Sequence, residues 1–396
     1  MNEHFETEAI RGQIERSSHR EHAVPIYLTS SFVFEDAEHA RALFADEVEG
    51  AIYSRYSNPN VDEFIQKLAK LEGCETGVAT GSGMAAMFAG LASFLNAGDH
   101  VVASRALFGS THQILTQILP RWGIEHSYVN PSDHASWKAA IKPSTKMLMA
   151  ETPSNPGLAL VDLEFLGNLA KEHGLLLNID NCFATPYLQT PAQYGADIVT
   201  HSATKFIDGQ GRVLGGAVLG NREAIDKVKF FGRQTGPSMS PFNAWVLSKS
   251  LETLAVRMER HCENALTLAR HLQGHQKLSA VNYPFLESHP QVELAKRQMR
   301  HGGGIVTLEL AGGYTAGTQF LDALQMITLS SNLGDSRSIA THPASTTHSK
   351  LSAEERAAVN ITPGLVRISV GLETVEDIIA DIDQALERVG GAATSD

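Results

Sequence analysis

Short apolar runs recur along the first 240 residues and alternate with segments of helical periodicity. Such runs, bounded by polar residues or glycine, are typical of buried strands, and the clearest lie at residues 78–80, 147–150, 175–180 and 196–200. The segments between them carry apolar residues three or four positions apart, which predicts helices. Strand, helix and strand in succession favour a parallel sheet whose crossover connections are right-handed.

Two of the predicted helices have recognisable ends. Residues 84–95 form an apolar helical pattern directly after the glycine-rich turn at 81–83. A second helix is predicted to begin after the N-cap residue Asp162 and to stop at Gly174. Both helices therefore fit between predicted strands, as the alternating arrangement requires.

The pattern changes after Pro241. A long helical stretch from residue 242 to about 272 is followed by strand candidates at 304–310 and 365–370. Further helical patterns begin near Thr315 and Val375. Together these elements predict a smaller α+β domain at the C-terminal end of the chain.

The N-terminal residues have a different character. Residues 1–60 mix polar and aromatic side chains without strong helical periodicity, as expected of an arm that lies on another surface. We therefore predict an arm at 1–60, an α/β domain at 61–240, and a linking helix with an α+β domain at 241–396.

The composition is that of an ordinary globular chain. Of 396 residues, 43% are hydrophobic and 19% are charged, and the formal net charge is −12. A chain of this length is expected to form two domains. The negative charge, without clustered Lys and Arg, argues against binding to nucleic acid or to a membrane surface.

Targeting and metal signals are absent from the sequence pattern. The first 22 residues are polar and charged, and no apolar stretch approaches the length of a membrane span, which favours a cytoplasmic protein. The three cysteines are widely spaced and no His-Glu-x-x-His occurs, so no metal site is predicted. We expect Cys182 to be a small buried hydrophobe, and His342 and His348 to be structural.

Polar residues follow two of the predicted strands. Lys205 lies beyond the run 196–200, bracketed by the hydroxyls of Ser202 and Thr204, and the run 175–180 ends in Asp180. A lone lysine or aspartate is usually a solvated surface residue. In open α/β sheets, however, ligands bind at the carboxyl ends of the strands, which would bring both groups into one crevice.

A lysine and a carboxylate at neighbouring strand ends meet the needs of pyridoxal phosphate. Its aldehyde forms a Schiff base with a lysine, its ring nitrogen needs an acid to stay protonated, and its phosphate needs hydroxyls and backbone N–H donors. The start of the 84–95 helix offers such N–H groups, so Gly83 and Met84 are candidates for holding the phosphate.

The same turn also fits a competing pattern. Gly81-x-Gly83-x-x-Ala86 matches the dinucleotide-binding fingerprint. That fingerprint expects an acidic residue about 20 positions further on, at the end of the next strand. The chain has Val101-Val102-Ala103-Ser104-Arg105 there. Because no acid is present, a nicotinamide-dependent oxidoreductase is the weaker interpretation.

Six segments occur in an order that resembles one enzyme family. They are Tyr53-Ser54-Arg55-Tyr56-Ser57-Asn58-Pro59, Gly81-Ser82-Gly83-Met84, Glu151-Thr152-Pro153-Ser154-Asn155-Pro156, Asp180-Asn181, Ser202-Ala203-Thr204-Lys205 and Gly364-Leu365-Val366-Arg367. Together they resemble the cysteine and methionine metabolism family of pyridoxal-phosphate enzymes, nearly from end to end. The resemblance implies the aspartate-aminotransferase-like fold type I, with pyridoxal 5'-phosphate bound by the domain at 61–240.

The resemblance also implies roles around the cofactor. Lys205 would hold it, Asp180 would contact its ring nitrogen, Asn155 would hydrogen-bond its ring oxygen, and Phe108 would stack on the ring. Without the family, Asn155 before a proline is an ordinary turn former, and Phe108 is a core residue.

Further implied residues reach the substrate. Tyr53 and Arg55 would cross to the cofactor phosphate and substrate of a neighbouring subunit, with Tyr53 as an acid–base group, in a homo-oligomer that by resemblance is a tetramer. A solvated loop is the alternative for this pair. Arg367 would bind the substrate carboxylate, although a buried charge in an apolar strand fits an internal salt bridge equally well. Asn332 stands where many relatives have a serine near that carboxylate.

Within the family, residues 205–212 and 341–348 are most similar to those of the O-succinylhomoserine sulfhydrylases. Family lyases carry a tyrosine at the position of Phe108 and tend to carry a cysteine at that of Ser110. The resemblance therefore implies γ-replacement, in which O-succinyl-L-homoserine and sulfide give L-homocysteine and succinate. The alternatives are cystathionine γ-synthase, O-acetylhomoserine sulfhydrylase and methionine γ-lyase.

Overall fold

Two β-sheets organise the chain in the computed structural model, which describes residues 4–346, 349, 356 and 361–390. The strands of the first sheet are β1 (Thr76–Thr80), β2 (His100–Ser104), β3 (Glu125–Val129), β4 (Thr145–Glu151), β5 (Leu176–Asp180), β6 (Ile198–Ser202) and β7 (Gly216–Gly220). They lie in the order β1-β7-β6-β5-β4-β2-β3. Strands β2 to β6 pair in parallel, whereas β7 is antiparallel to both of its neighbours.

Helices cover the first sheet, connect it to the C-terminal part of the chain, and pack on the second sheet there. In the described residues they are α1 (Phe5–Arg11), α2 (Ala37–Phe44), α3 (Pro59–Glu72), α4 (Gly83–Ala92), α5 (Gly109–Gln113), α6 (His134–Ala139), α7 (Leu163–His173), α8 (Thr185–Leu188), α9 (Arg222–Thr235), α10 (Pro241–Leu251), α11 (Leu254–Leu272), α12 (Val292–Gln298), α13 (Gly313–Ala323) and α14 (Val375–Arg388). None of these described helices is long and apolar enough to cross a lipid bilayer.

Alternate residues of the central strands point to opposite faces of the sheet, and both faces are buried. On β4, Met147 and Met149 share a core with residues of α4 and α9. Leu148 and Ala150 share a second core with residues of α7. A parallel strand that is buried on both faces consists of consecutive apolar residues, which is why the pattern at 147–150 predicted β4.

The predicted ends of α7 are confirmed. The side chain of Asp162 accepts a hydrogen bond from the backbone N–H of Phe165, and Gly174 ends the helix with a left-handed φ of 64°. Aspartate and glycine are favoured at these two positions for those reasons. The helix predicted at 84–95 is also present as α4, although it ends earlier, at Ala92.

The single long helix predicted over 242–272 is wrong, because α10 and α11 are separated by a turn at 252–253. At this turn the carbonyl of Ser250 accepts a hydrogen bond from the guanidinium of Arg257 at 2.9 Å. The same carbonyl accepts the N–H of Thr253 at 3.2 Å, and the two donors together stabilise the break. Local periodicity does not reveal such a contact, since residues on both sides keep helical spacing.

The second sheet forms the smaller unit. Its strands are β8 (Leu278–Asn282), β9 (Ile305–Leu310), β10 (Thr328–Leu329), β11 (Ile339–Thr341) and β12 (Leu365–Ser369), in the order β10-β11-β12-β9-β8. Residues of α11, α13 and α14 share its apolar core. The strands predicted at 304–310 and 365–370 correspond to β9 and β12. The predicted fold class, a mostly parallel sheet between helices with a smaller α+β unit, is confirmed.

Most of the N-terminal segment lies outside the apolar cores of the two sheets. It contains the short helices α1 and α2, which the sequence pattern did not predict, and an isolated bridge between Ser31 and Tyr53. Several of its apolar side chains are exposed, including Leu28 at 70% and Val33 at 97%. Exposed apolar side chains of this kind favour contact with another surface. The boundaries at residues 60 and 240 stay predictions.

Arg257 anchors the turn that follows β6, which generates a test of the fold. Its buried guanidinium donates hydrogen bonds to the carbonyls of Phe206, Ile207 and Ser250. In the variant Arg257→Ala these buried carbonyls lose their charged donor. We expect the free energy of unfolding, measured by urea denaturation, to fall by about 3 kcal/mol.

Arg260 provides the matched control. It lies on the same helix, but its side chain is exposed, and its one ion pair among the described residues is with Glu263, at 3.6 Å. We expect Arg260→Ala to change the free energy of unfolding by about 0.5 kcal/mol or less. Equal losses in the two variants would contradict the anchoring role of Arg257.

Candidate active site

A cavity of about 320 Å³ lies at the carboxyl ends of the parallel strands. The last residues of β4, β5 and β6 contribute to its wall, as does β12 of the second sheet. Nine of the predicted site residues line it, namely Gly83, Met84, Phe108, Asn155, Asp180, Ser202, Thr204, Lys205 and Arg367. Residues that are far apart in the sequence therefore meet at one edge of the sheet.

Lys205 lies three residues beyond the end of β6 and lines the cavity. Its Nζ donates a hydrogen bond of 2.7 Å to Oδ1 of Asn332, a residue that does not itself line the cavity. Burial, and to a lesser degree the positive charge of Arg367, lowers the pKa of Lys205. A lysine that loses its proton more readily is a better nucleophile and base.

Asp180 is the last residue of β5, and it lies opposite Glu151 of β4 and Thr200 of β6. Its Oδ1 accepts a hydrogen bond of 3.0 Å from the backbone N–H of Cys182. Burial raises the pKa of Asp180, and this N–H donor opposes the rise. A cation above the carboxylate would favour the ionised form, so the position fits a protonated ring nitrogen.

The N-terminus of α4 offers backbone donors to the cavity. Ser82 caps the helix by accepting a hydrogen bond of 3.2 Å from the N–H of Ala85. Among the described residues, the N–H groups of Gly83 and Met84 donate no hydrogen bond. The side chain of Ser202 lines the same cavity, and its hydroxyl does not accept from either N–H group. Unpaired N–H groups at a helix start, together with a hydroxyl, form a donor set for phosphate.

Packing fixes the neighbours of this donor set. A Cβ atom at position 83 would lie 2.4 Å from Cβ of Ser202, so glycine is required for α4 to approach β6. Thr204 lines the cavity, but its hydroxyl accepts the N–H of Gly215 at 3.1 Å and donates to the Gly215 carbonyl at 3.2 Å. Ser202 therefore has the more available of the two hydroxyls.

Arg367 is a buried cation, with 2% of its surface exposed. Its Nη1 donates to Oδ1 of Asn155 at 3.0 Å, and its Nη2 donates to the carbonyls of Asn332 at 3.0 Å and Ser331 at 3.3 Å. Among the described residues its Nε has no hydrogen-bond partner, and no carboxylate lies within ion-pair distance of the guanidinium. Burial lowers the pKa of Arg367 to about 10. The internal salt bridge considered from the sequence is therefore absent from the described residues, and a bound carboxylate fits.

Tyr53 and Arg55 do not line the cavity of their own chain. The guanidinium of Arg55 lies over the ring of Tyr56, 4.7 Å from its centroid, and donates to the carbonyl of Arg233. Tyr53 is 42% exposed. The structure thus separates this pair from Lys205 within one chain, and their action in a neighbouring subunit stays a prediction.

Sequence reasoning missed Glu151 as a cavity residue. It is the last residue of β4, it is buried, and it lines the cavity. The only signal was that a carboxylate ends the apolar run of β4, just as Asp180 ends that of β5. Cys182 packs against an apolar cluster that includes Phe183 and Phe206, but it is only half-buried and also lines the cavity.

His342 follows β11 of the second sheet and forms hydrogen bonds through both ring nitrogens. The ring nitrogens of His342 lie 2.9 Å from Oγ of Ser345 and 2.7 Å from the carbonyl of Pro363, which confirms a structural role. Thr347 and His348 lie outside the described residues. Within the described ranges, no group of three or more His, Cys, Asp or Glu side chains could hold a metal ion.

The donor set of the cavity fits pyridoxal 5'-phosphate. Lys205 offers an amine for the aldehyde, Asp180 offers a carboxylate for the ring nitrogen, and the start of α4 offers N–H groups for the phosphate. Arg367 adds a buried positive charge for a carboxylate. These groups suit chemistry on the α-amino and α-carboxyl ends of an amino acid.

Comparison with known proteins agrees with this chemistry. Residues 6–387 match the family described as Cys/Met metabolism PLP-dependent enzyme. The chain is 47% identical over 382 residues to an O-succinylhomoserine sulfhydrylase of Pseudomonas aeruginosa, and the aligned region covers 96% of this chain and 95% of the relative. It is 46% identical over 370 residues to an L-methionine gamma-lyase of Fusobacterium nucleatum subsp. polymorphum, and the aligned region covers 93% of this chain and 94% of that relative.

A solved structure is similar over almost the whole chain. A putative O-acetylhomoserine (thiol)-lyase from Campylobacter jejuni subsp. jejuni superposes with a TM-score of 0.93 at 36% identity, covering 97% of this chain and 99% of that one. That structure contains N'-pyridoxyl-lysine-5'-monophosphate at its position 205. The family match, the identity to these relatives and the cavity all agree, and the chain belongs to the Cys/Met metabolism family of pyridoxal-phosphate-dependent enzymes.

Proposed function

We propose that this enzyme catalyses γ-replacement, in which O-succinyl-L-homoserine and sulfide give L-homocysteine and succinate. The observation that carries the proposal is Arg367, a buried cation with no carboxylate partner among the described residues, in one cavity with Lys205 and Asp180. Such a cation calls for the carboxylate of an amino-acid substrate. The identity to the P. aeruginosa sulfhydrylase supports this activity within the family.

Five residues would hold the cofactor. Lys205 would bind its aldehyde, Asp180 its ring nitrogen, and the N–H groups of Gly83 and Met84 its phosphate together with Ser202. When bound, pyridoxal 5'-phosphate supplies a cationic ring that accepts electrons from the α-carbon of an amino acid. Asp180 would keep the ring nitrogen protonated, because the N–H of Cys182 compensates the charge of its carboxylate only in part.

Lys205 would move protons once the amino group of the substrate had taken its place on the cofactor. Burial lowers the pKa of Lys205, so Nζ loses its proton more readily and would be able to accept one from the α-carbon. Asn332 holds this amine through a hydrogen bond of 2.7 Å and limits the positions that Nζ can occupy. Asn332 would thus contribute to proton transfer as well as lie near the substrate carboxylate.

Arg367 orients the substrate. Its guanidinium is itself fixed by Asn155 and by the carbonyls of Asn332 and Ser331, so its remaining donors have a defined direction. A carboxylate bound there is held by charge-assisted hydrogen bonds. Fixing the carboxylate determines which bond of the α-carbon faces the electron-accepting ring.

Phe108 and Ser110 favour replacement over elimination. Phe108 lines the cavity and can pack against a ring, but it lacks the hydroxyl that the tyrosine of family lyases offers for proton transfer. Ser110 stands where those lyases tend to have a cysteine. This chain lacks both the tyrosine and the cysteine of those lyases. The substrate's unsaturated side chain is therefore captured by sulfide more readily than it is protonated and released as the elimination product.

Methionine γ-lyase activity is the chief alternative, since the Fusobacterium relative is 46% identical. Cystathionine γ-synthase would use cysteine instead of sulfide, and O-acetylhomoserine sulfhydrylase would use a different acyl group. All four activities share the same lysine, acid and arginine. The test must therefore vary both the nucleophile and the ester.

Four parallel reactions separate these activities. The purified enzyme receives O-succinyl-L-homoserine with sulfide, with cysteine, or with neither, and O-acetyl-L-homoserine with sulfide, and the products are quantified by mass spectrometry. We expect homocysteine with sulfide, at a rate at least about tenfold above the formation of cystathionine or 2-oxobutanoate. Rapid release of 2-oxobutanoate without a thiol would instead identify a lyase, and faster turnover of the acetyl ester would identify the other sulfhydrylase.

Mixed oligomers test whether Arg55 acts across a subunit interface. Lys205→Ala and Arg55→Ala are each expected to be almost inactive alone. When the two variants are dissociated and reassembled together, half of the subunit pairs contain one intact site if Arg55 acts on the neighbouring subunit. We expect the mixture to recover about a quarter of the activity of the unmodified enzyme.

A second mixture serves as the matched control. Lys205 and Asp180 line the cavity of the same chain, so mixing Lys205→Ala with Asp180→Ala creates no intact site. We expect no recovery from this mixture. If the mixture that contains Arg55→Ala also fails to recover, Arg55 acts within its own chain.

A further inference from the structure

Glu151 lies where two loops of the cavity wall meet. It is the last residue of β4, it is 4% exposed, and it lines the cavity. The loop after β2 carries Phe108, and the loop after β4 carries Asn155. The chemistry assigned to Lys205 and Asp180 does not use this buried carboxyl group.

The carboxylate of Glu151 binds the backbone of both loops. Its Oε2 accepts the N–H of Phe108 at 2.6 Å, and its Oε1 accepts the N–H of Asn155 at 2.9 Å. Hydrogen bonds to a charged acceptor are shorter and stronger than those between neutral groups. One side chain therefore fixes the separation of two loops whose contact residues are 43 and 4 positions away in the sequence.

The connection continues into the second sheet. Oδ1 of Asn155 accepts a hydrogen bond of 3.0 Å from Nη1 of Arg367, on β12. A continuous set of hydrogen bonds thus joins the backbone of Phe108 to the guanidinium of Arg367 through Glu151 and Asn155. Members of such a buried network reinforce one another, so the loss of one contact affects the rest.

Two opposing effects act on the charge of Glu151. Burial and the negative charge of Asp180, its partner in the register of β4 and β5, raise the pKa of Glu151. The two N–H donors lower this pKa, because they stabilise the ionised form. Both oxygens accept backbone N–H groups, which is the geometry of a carboxylate. Glu151 therefore depends on the N–H groups of both Phe108 and Asn155 to keep its negative charge.

We propose that Glu151 is a positioning residue for the cofactor and for the substrate carboxylate, a role that rests on the proposed function. It holds Phe108, which lines the cavity, at a fixed distance from the pair formed by Asn155 and Arg367. Both of its oxygens bind backbone N–H groups, so Glu151 acts on the site through the two loops that it holds. Weakening this contact affects cofactor binding and carboxylate binding together.

Glu151→Gln tests the proposal with almost no change of shape. Glutamine offers one acceptor oxygen, and its NH₂ group would face a second backbone N–H, so one of the two loops must move. We expect the affinity of the apoprotein for pyridoxal 5'-phosphate, measured by fluorescence titration without substrate, to fall about tenfold, equivalent to about 1.4 kcal/mol. We also expect KM for the homoserine ester to rise more than kcat falls.

Glu63→Gln is the matched control. Glu63 is equally buried, at 3%, and its carboxylate accepts the N–H of Ile14 at 3.3 Å and the hydroxyl of Ser248 at 2.6 Å, but it lies on α3 and does not line the cavity. We expect this variant to lose stability and to keep its affinity for the cofactor. Unchanged affinity in Glu151→Gln, or an equal loss in both variants, would overturn the proposal.

The titration also separates this proposal from the proposed function, because it needs no homoserine ester and no thiol. Hydrogen–deuterium exchange on the unmodified protein covers the case in which Glu151→Gln does not fold. The backbone amides of Phe108 and Asn155 should exchange much more slowly than that of exposed Ser110. Fast exchange at both amides would show that the carboxylate does not hold the two loops.

Discussion

Parallel pairing of β4, β5 and β6 is the constraint on which the rest of the site depends. Because these neighbouring strands run in the same direction, their last residues, Glu151, Asp180 and Ser202, reach the same edge of the sheet. Lys205 follows three residues later. A register slip of one residue would turn a terminal carboxylate to the opposite face. The apolar cores on both faces of the sheet oppose such a slip.

Four buried or half-buried acidic and basic side chains line the cavity, and none of them forms an ion pair among the described residues. Burial raises the pKa of Asp180 and Glu151 and lowers the pKa of Lys205 and Arg367, so each group is shifted toward its neutral form. Buried charges are unfavourable unless opposite charges or hydrogen bonds compensate them. A ring cation and a substrate carboxylate would supply the missing partners, and groups with shifted pKa values are typical of functional sites.

Local patterns predicted those features that depend on neighbouring residues. The apolar runs revealed β4 and β5, and the carboxylate and lysine beyond strand ends pointed to Asp180 and Lys205. The break between α10 and α11 was missed because it depends on Arg257, which binds the carbonyl of Ser250 from the next helix. Glu151 was missed for a similar reason, since its partner Phe108 lies 43 residues away. The expected roles of the remaining site residues came from family resemblance, which periodicity cannot replace.

Borohydride reduction of the enzyme with bound cofactor, followed by peptide mass analysis, tests most directly whether Lys205 carries the pyridoxal group. Reduction converts the linkage between lysine and cofactor into a stable bond that survives digestion. We expect a pyridoxyl group on the peptide that contains Lys205 and on no other peptide. A pyridoxyl group on a different lysine, or no labelled peptide after reduction of the enzyme with bound cofactor, would contradict the central role of Lys205.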